Sequence, residues 1–424
     1  MMLSGATRIF QSPNDGHYFF GYFNTPQISA DETKILALRC SRIDRVPNGD
    51  DLAEVGWFDL TAAEPTFHVI GETTAFNWQQ GCMLQFLGPD YDRHIIYNRF
   101  DGTDYVADIV DLITGDRRTI AAIYNMFPDG RTATVIDFAR HSWCRRGYSY
   151  GNLLDASKNQ PVVPGDGVWS VDIGSGARTQ IIALEDLLRL RPLSSMEGAV
   201  HYLEHMTACP AGIHFAFLHR WRHSGGIHSR LLVAKRDGTD VRIINDSGRM
   251  SHFCWRDADH LFGYGGIANP LNKLRRNRTL IKTLFRVALP IYRRFVRDNS
   301  RIAKSLTGDA YLDFNIRSGR ARMVLPSMRA EDGHPVAVAG TSFIITDTYA
   351  RSEMGQQPRL FLCDLETSAV EQLDELRSIS ELDESPLRCD LHPRVSPTGT
   401  LVSIDTMDSG MRGIYAYRLG EILT

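Results

Sequence analysis

Residues 390–406 read "DLHPRVSPTGTLVSIDT". A His-Pro step opens the stretch, a Pro-Thr-Gly turn follows, and an apolar run then ends in Asp-Thr. Residues 332–349, "DGHPVAVAGTSFIITDTY", repeat that layout. Gly- and Pro-bearing turns between short β-branched runs are hairpin chemistry. Two copies of one hairpin close together suggest that more of the chain is built from it.

Toward the N-terminus the same unit recurs. Each unit has a short first strand, a turn, an apolar second strand, a third strand ending in Asp, an x-Gly-x turn and a closing strand. Earlier copies open at "GYFNTPQISADETKILALRC", "NWQQGCMLQFLGPDYDRHIIYNRF", "DGRTATVIDFARH", "HYLEHMTACPAGIHFAFLHRW" and "MSHFCWRDADHLFGYGG". With the two C-terminal copies that makes seven four-stranded units of roughly 45 to 60 residues, the pattern of a β-propeller. The expected architecture is an all-β seven-bladed propeller over residues 1–424, with one insertion at 269–309. A pair of β-sandwiches gives no reason to repeat one unit seven times.

Composition narrows the function. The chain has 424 residues, 47 basic and 50 acidic, for a net charge of −3. That balance gives no case for nucleic acid binding. The seven cysteines form no CxxC pair, so neither a disulfide framework nor a zinc knuckle is expected. No apolar run approaches the ~20 residues of a membrane span. The opening "MMLSGATRIFQSPNDG" lacks a basic start followed by an apolar stretch. A cytoplasmic protein is the expectation.

In a propeller the first strand of each blade lines a central channel. His205, His252, His334 and His392 all precede such a strand, in units four to seven. Gln79 and Gln80 hold the same place in unit two, and Tyr22 holds it in unit one. These residues are therefore expected around one polar pocket, with the four histidines in reach of one small ligand.

The insertion breaks the repeat. Between Lys273 and Lys304 there are eleven Lys or Arg against one acid, Asp298. Leu280, Leu284 and Val287 follow helical spacing, so 274–300 is expected to be mostly helical, with Pro290 kinking or ending the first helix. Three readings stay open: a solvated cap, a clamp for an acidic polymer, and an amphipathic helix for an anionic membrane surface.

Other motifs fail on context. "GYSYG" at 147–151 has the spacing of a nucleophile elbow, but loop chemistry follows it, which discounts Ser149. His201 and His205 are four apart, but they are not on a convincing helix and lack the glutamate of an HExxH motif between them. "GYGG" at 263–266 has no phosphate-loop lysine.

The stretches "GHYFFGYFNTPQIS", "NWQQG", "HFAFLHRW", "MSHFCWRDADHL", "DGHPV" with "IITDTY", and "DLHPRVSPTGTLVSIDT" together resemble the seven-bladed propeller polysaccharide lyases. Oligogalacturonate lyase, propeller-type ulvan lyases and rhamnosyl-glucuronate lyases belong there. The resemblance implies β-elimination at a uronic acid, acting on an acidic oligosaccharide or polysaccharide. Such chemistry needs a neutralised carboxylate, a base for the C5 proton and a proton for the leaving O4. It implies His205 of "EHM" as the base, a role an imidazole suits because its ordinary pKa lies near ~6.5. Arg220 and Arg394 are candidates to hold carboxylates in bidentate fashion. His252 and His392 complete the catalytic set. Tyr22, Gln79, Gln80, Tyr97 and His334 are the candidates for binding sugar.

The resemblance also implies manganese, held by a His of blade five and a Gln-x-x-His-x-His run in blade seven. Here that run is Cys389-x-x-His392-x-Arg394, so His252 and His392 are kept while Cys and Arg stand at the other two places. The expectation is a metal-free site with Arg394 as the charge neutraliser; a divalent ion, if present, falls to His252, His334 and His392. The rival reading is a non-catalytic glycan-binding or scaffold propeller of polysaccharide synthesis, attached to a membrane surface through 273–304.

Overall fold

The structure is a computed structural model, and it describes residues 5–420 except 159, 224–225, 268–307, 330, 352–354 and 385. The expected helical insertion lies outside these residues. Among the described residues, no helix is long and apolar enough to cross a membrane.

The described residues form seven four-stranded antiparallel sheets, six of them running in simple chain order. The seventh is completed by the N-terminus: Ala6–Gln11 pairs antiparallel with Gly413–Leu419, next to Leu401–Thr406 and Arg394–Val395. The fold is thus an all-β seven-bladed propeller, as the repeat predicts. Two short α-helices are additions the sequence did not announce. One, Phe138–Cys144, is capped by Asp137, whose carboxylate accepts from the Arg140 N–H at 2.9 Å. The other is Leu184–Arg189. Ser149 follows the first helix and donates to the Phe138 carbonyl at 2.9 Å, which is a structural bond.

The chain divides into two compact units. The first holds Met1–Ala156, Ser170–Thr179 and Gly333–Thr424. Its inner-sheet strands are buried on both faces. Leu401–Thr406 is buried throughout, and Ile344 and Ile345 are both buried in Phe343–Asp347. One apolar core joins Ile35, Leu38, Ile95, Leu401 and Ile414; another joins Val336, Ile345, Leu362 and Ile404. The second unit holds Ser157–Trp169 and Gln180–Asp332. Its core gathers Leu218, Leu231, Val233, Phe253, Leu261 and Leu312.

A polar latch recurs in the first unit. Asn98, on His94–Phe100, accepts from the Ile123 N–H and donates to its carbonyl. Asp347 accepts from the His392 N–H at 3.1 Å. Asp405 accepts from the N–H groups of Phe20 and Gly21, the latter at 2.9 Å. In each case a side chain on a second strand catches backbone beside the first strand of the following sheet: before it at Ile123 and His392, just after His17–Phe19 at Phe20 and Gly21. Gly21 is required there: its φ is +98°, and a Cβ would sit 2.3 Å from the Gly81 nitrogen.

Candidate functional site

Six chain segments build the first unit's polar group. His334 and His392 stand with ring centroids 4.1 Å apart, edge to face. One donor atom each from His334, Asp390 and His392 lies within 4.8 Å of the others, and all three residues are buried. His392 adopts φ +45°, the left-handed region that His tolerates better than most residues. Phe23 stacks on His392 at 6.1 Å and meets His334 at 5.3 Å, forming an apolar wall. Tyr349 meets His334 edge-on at 5.4 Å.

Asp347 lies under the two histidines. Its carboxylate accepts from the His334 N–H at 2.6 Å and from His334 Nδ1 at 3.0 Å. Burial by itself would push its pKa up; the His334 imidazole and the two backbone N–H groups outweigh that and hold it below the ordinary carboxylate range. Asp390 pairs with Arg388 through Nε and, at 3.0 Å, through Nη2. Arg388 in turn lies over the Tyr349 ring at 4.2 Å. The loop carrying Asp390 is held from behind. Gln79 donates to the carbonyls of Pro386 and Arg388, and Arg412 donates to those of Leu387 and Arg388.

The remaining expected residues of this unit divide by burial. Arg394 is fully buried, donates to Asp405 at 2.7 Å and lies over the Phe20 ring. Its charge is therefore balanced inside the protein by the Asp405 carboxylate. Tyr97 is fully buried too, its hydroxyl 2.8 Å from Arg117 and 3.5 Å from Asp108. Gln80 is buried, with its Nε2 without a hydrogen-bond partner among the described residues. Tyr22 lies against Phe23 and edge-on to Tyr124.

The second unit holds the other pair. His205 and His252 have ring centroids 5.2 Å apart. His205 sits at φ +52°, where the pairing of Val200–Ala208 with His214–His223 slips between Glu204 and Thr207. Its Nδ1 lies 3.6 Å from Glu204, a fully buried carboxylate that ion-pairs with Arg220. His252 Nδ1 lies 3.0 Å from the Ser251 hydroxyl and 3.9 Å from Asp332. Arg220, like Arg394, already has a carboxylate partner inside the protein.

Two further histidines of this unit are structural. His201 Nε2 faces the Met196 carbonyl, which assigns the proton there and leaves Nδ1 to accept. His219 Nε2, 2.9 Å away, then donates to it, while His219 Nδ1 accepts from Arg230 at 3.1 Å. Burial, Arg230 and His201 together hold the His219 pKa well below its ordinary value.

A cation fits the His334–Asp390–His392 group on donor chemistry. Two imidazoles and one carboxylate suit manganese, iron or zinc, and the carboxylate behind His334 is the support that metal-binding histidines usually have. Asp390 is the member of this group that the expectation did not name, and the spacing Asp-x-His in "CDLHPR" is the signal that could have pointed to it.

Solved structures resemble the chain over nearly its whole length. An oligogalacturonate lyase from Vibrio parahaemolyticus matches with a TM-score of 0.61 and 15% identity, covering 98% of this chain and 94% of that one. An oligogalacturonate lyase in complex with manganese matches with a TM-score of 0.62 and 16% identity, covering 99% and 94%. A prolyl endopeptidase matches with a TM-score of 0.48 and 11% identity, covering 92% and 45%. At these identities the likeness shows the seven-bladed fold alone. No family model matches the sequence, and no curated protein matches it significantly.

Proposed function

We propose that the protein is a divalent-metal-assisted lyase that cleaves uronic-acid-containing oligosaccharides by β-elimination. The observation that carries this reading is the buried His334–Asp390–His392 group, whose donor atoms lie within 4.8 Å of one another. The manganese-bound lyase of the same fold supports it. An ion held by these three residues would neutralise a uronate carboxylate and make the adjacent C5 proton more acidic. This replaces the metal-free expectation, because the Arg394 charge is committed to Asp405.

His334, Asp390 and His392 bind in this scheme, and Phe23 keeps water from one side of the two rings. His205, in the second unit, remains the candidate base that the resemblance implies. Glu204 lies beside its Nδ1 and favours the imidazolium that forms. General base catalysis of this kind contributes about 10²–10⁴-fold. Arg220 holds Glu204 in place.

The test is a panel of uronate oligosaccharides incubated with the full chain and MnCl₂, followed by ultraviolet absorbance and mass. The reading expects a 4,5-unsaturated uronate and two products whose masses sum to the substrate. A product heavier by one water would overturn it. No turnover on any member, with binding retained, would favour the glycan-binding scaffold.

A further inference from the structure

We infer that Asp347 is the positioning residue of the proposed cation site: it fixes His334 as an Nε2 donor and anchors His392 by its main chain. The inference rests on the metal reading above and adds a residue that neither the sequence nor the resemblance singles out.

The placement follows from register. Val336 pairs with Ile345 and Ala337 with Ile344, so His334 stands opposite Asp347 when the ladder is continued. Asp347 is fully buried, and two main-chain donors converge on it, the His334 N–H and the His392 N–H, with His334 Nδ1 3.0 Å from both of its oxygens. Two main-chain N–H groups favour the ionised carboxylate, which only accepts. The Nδ1 facing it must then carry the hydrogen. A neutral imidazole with its proton on Nδ1 presents its lone pair on Nε2. One buried carboxylate therefore selects the ligating nitrogen.

The same carboxylate steadies the second histidine. His392 is held at φ +45°, a conformation that a non-glycine residue keeps only where the surroundings impose it. Its N–H to Asp347 bond is one such restraint. Gly333 lets the two segments meet: a Cβ there would lie 1.9 Å from the Asp347 carbonyl oxygen and 2.9 Å from its Oδ1. Asp405 is the control built into the fold. It holds the matching place in the next sheet, since Arg394 pairs with Ser403 and the register carries His392 opposite Asp405. Yet Asp405 takes Arg394 and the Phe20 and Gly21 N–H groups, and no imidazole. The latch is common to both sheets; steering a histidine ring is the added role of Asp347.

The experiment uses the full chain labelled with ¹⁵N-histidine, His334 being assigned by its loss in His334→Gln. Long-range ¹H–¹⁵N spectra of ion-free protein should show the His334 proton on Nδ1. Titration of MnCl₂ into Asp347→Asn should show affinity about 10–100-fold weaker than in the unaltered protein, the usual cost of losing such support. A His334 proton on Nε2 in the unaltered protein would overturn the inference, and so would undiminished affinity in Asp347→Asn. If Asp347→Asn does not fold, the tautomer of the unaltered protein decides. Should that protein take up no manganese, the metal reading fails, and the same ion-free spectrum still decides what Asp347 does.

Discussion

The pair His334–His392 and the pair His205–His252 are placed and wired differently: the first two precede the short first strands Val336–Ala337 and Arg394–Val395, whereas the expected place before the strand fails for the other two, which lie inside Val200–Ala208 and Met250–Trp255. In the first pair one ring is fixed by the fully buried Asp347 carboxylate, and Asp390 adds an oxygen donor beside them. In the second pair the neighbouring carboxylate, Glu204, is already ion-paired with Arg220, and His205 lies 3.6 Å from it, beyond a hydrogen bond. A histidine locked by Nδ1 is built to hold something still. Beside His205 the carboxylate serves an arginine; partner chemistry separates the two pairs.

The largest expected effect is on the second pair. His205→Ala should lower kcat by about 10²–10⁴-fold while leaving both oligosaccharide binding and manganese affinity unchanged. Steady-state kinetics with a parallel metal titration checks this, and loss of the ion in His205→Ala would break the contrast. Next comes the latch that lacks an imidazole. Asp405→Asn leaves the Arg394 guanidinium buried without its counter-charge, which should cost about 3–5 kcal/mol in urea unfolding. A loss below about 1 kcal/mol would mean that Arg394 is free to serve a substrate after all.

Gly333→Ala comes third. The clash with the Asp347 carbonyl should cost about 1–3 kcal/mol, as overpacking usually does, and should weaken manganese binding in step, because the same contact sets His334. Stability lost with metal affinity kept would separate the fold from the site.

The smallest effect belongs to the structural histidines and supplies a baseline. The folded pKa of His219 lies well below the ordinary 6.5. Only the unfolded chain takes up that proton as pH falls below about 6.5, so this stability is complete above that pH and is lost as pH falls. The slope is at most about 1.4 kcal/mol per pH unit. Urea unfolding at stepped pH should show it, and His219→Gln should flatten it.

Much of the fold was legible in residues 390–406 and their copies, because alternating apolar strands and Gly turns are local signals. The places of His334 and His392 were legible for the same reason, since each precedes a short strand; His205 and His252 lie within longer first strands, whose starts the sequence did not mark. Their partners were not. Asp347 and Asp405 close second strands as "ITDT" and "SIDT", which read as turn chemistry, and each reaches a backbone that arrives from a distant part of the chain. Asp405 meets Phe20 across 385 residues. Glu204 was hidden for another reason, since a carboxylate within a strand looks solvent-facing until its Arg220 partner is seen. The helix at 138–144 was missed because "DFARHSWC" follows an apolar strand without a break, and only the Asp137 cap marks its start.

The account rests on the claim that His334, Asp390 and His392 form the cation site and His205 and His252 do not. Isothermal titration of MnCl₂ into the full chain and into His334→Ala, His392→Ala, Asp390→Ala, His205→Ala and His252→Ala tests it directly. One ion should bind the unaltered protein. It should be lost in the first three variants, by more than the roughly 10–100-fold that a supporting residue commands, and kept in the last two. An ion that survives His334→Ala and disappears in His252→Ala would contradict the account.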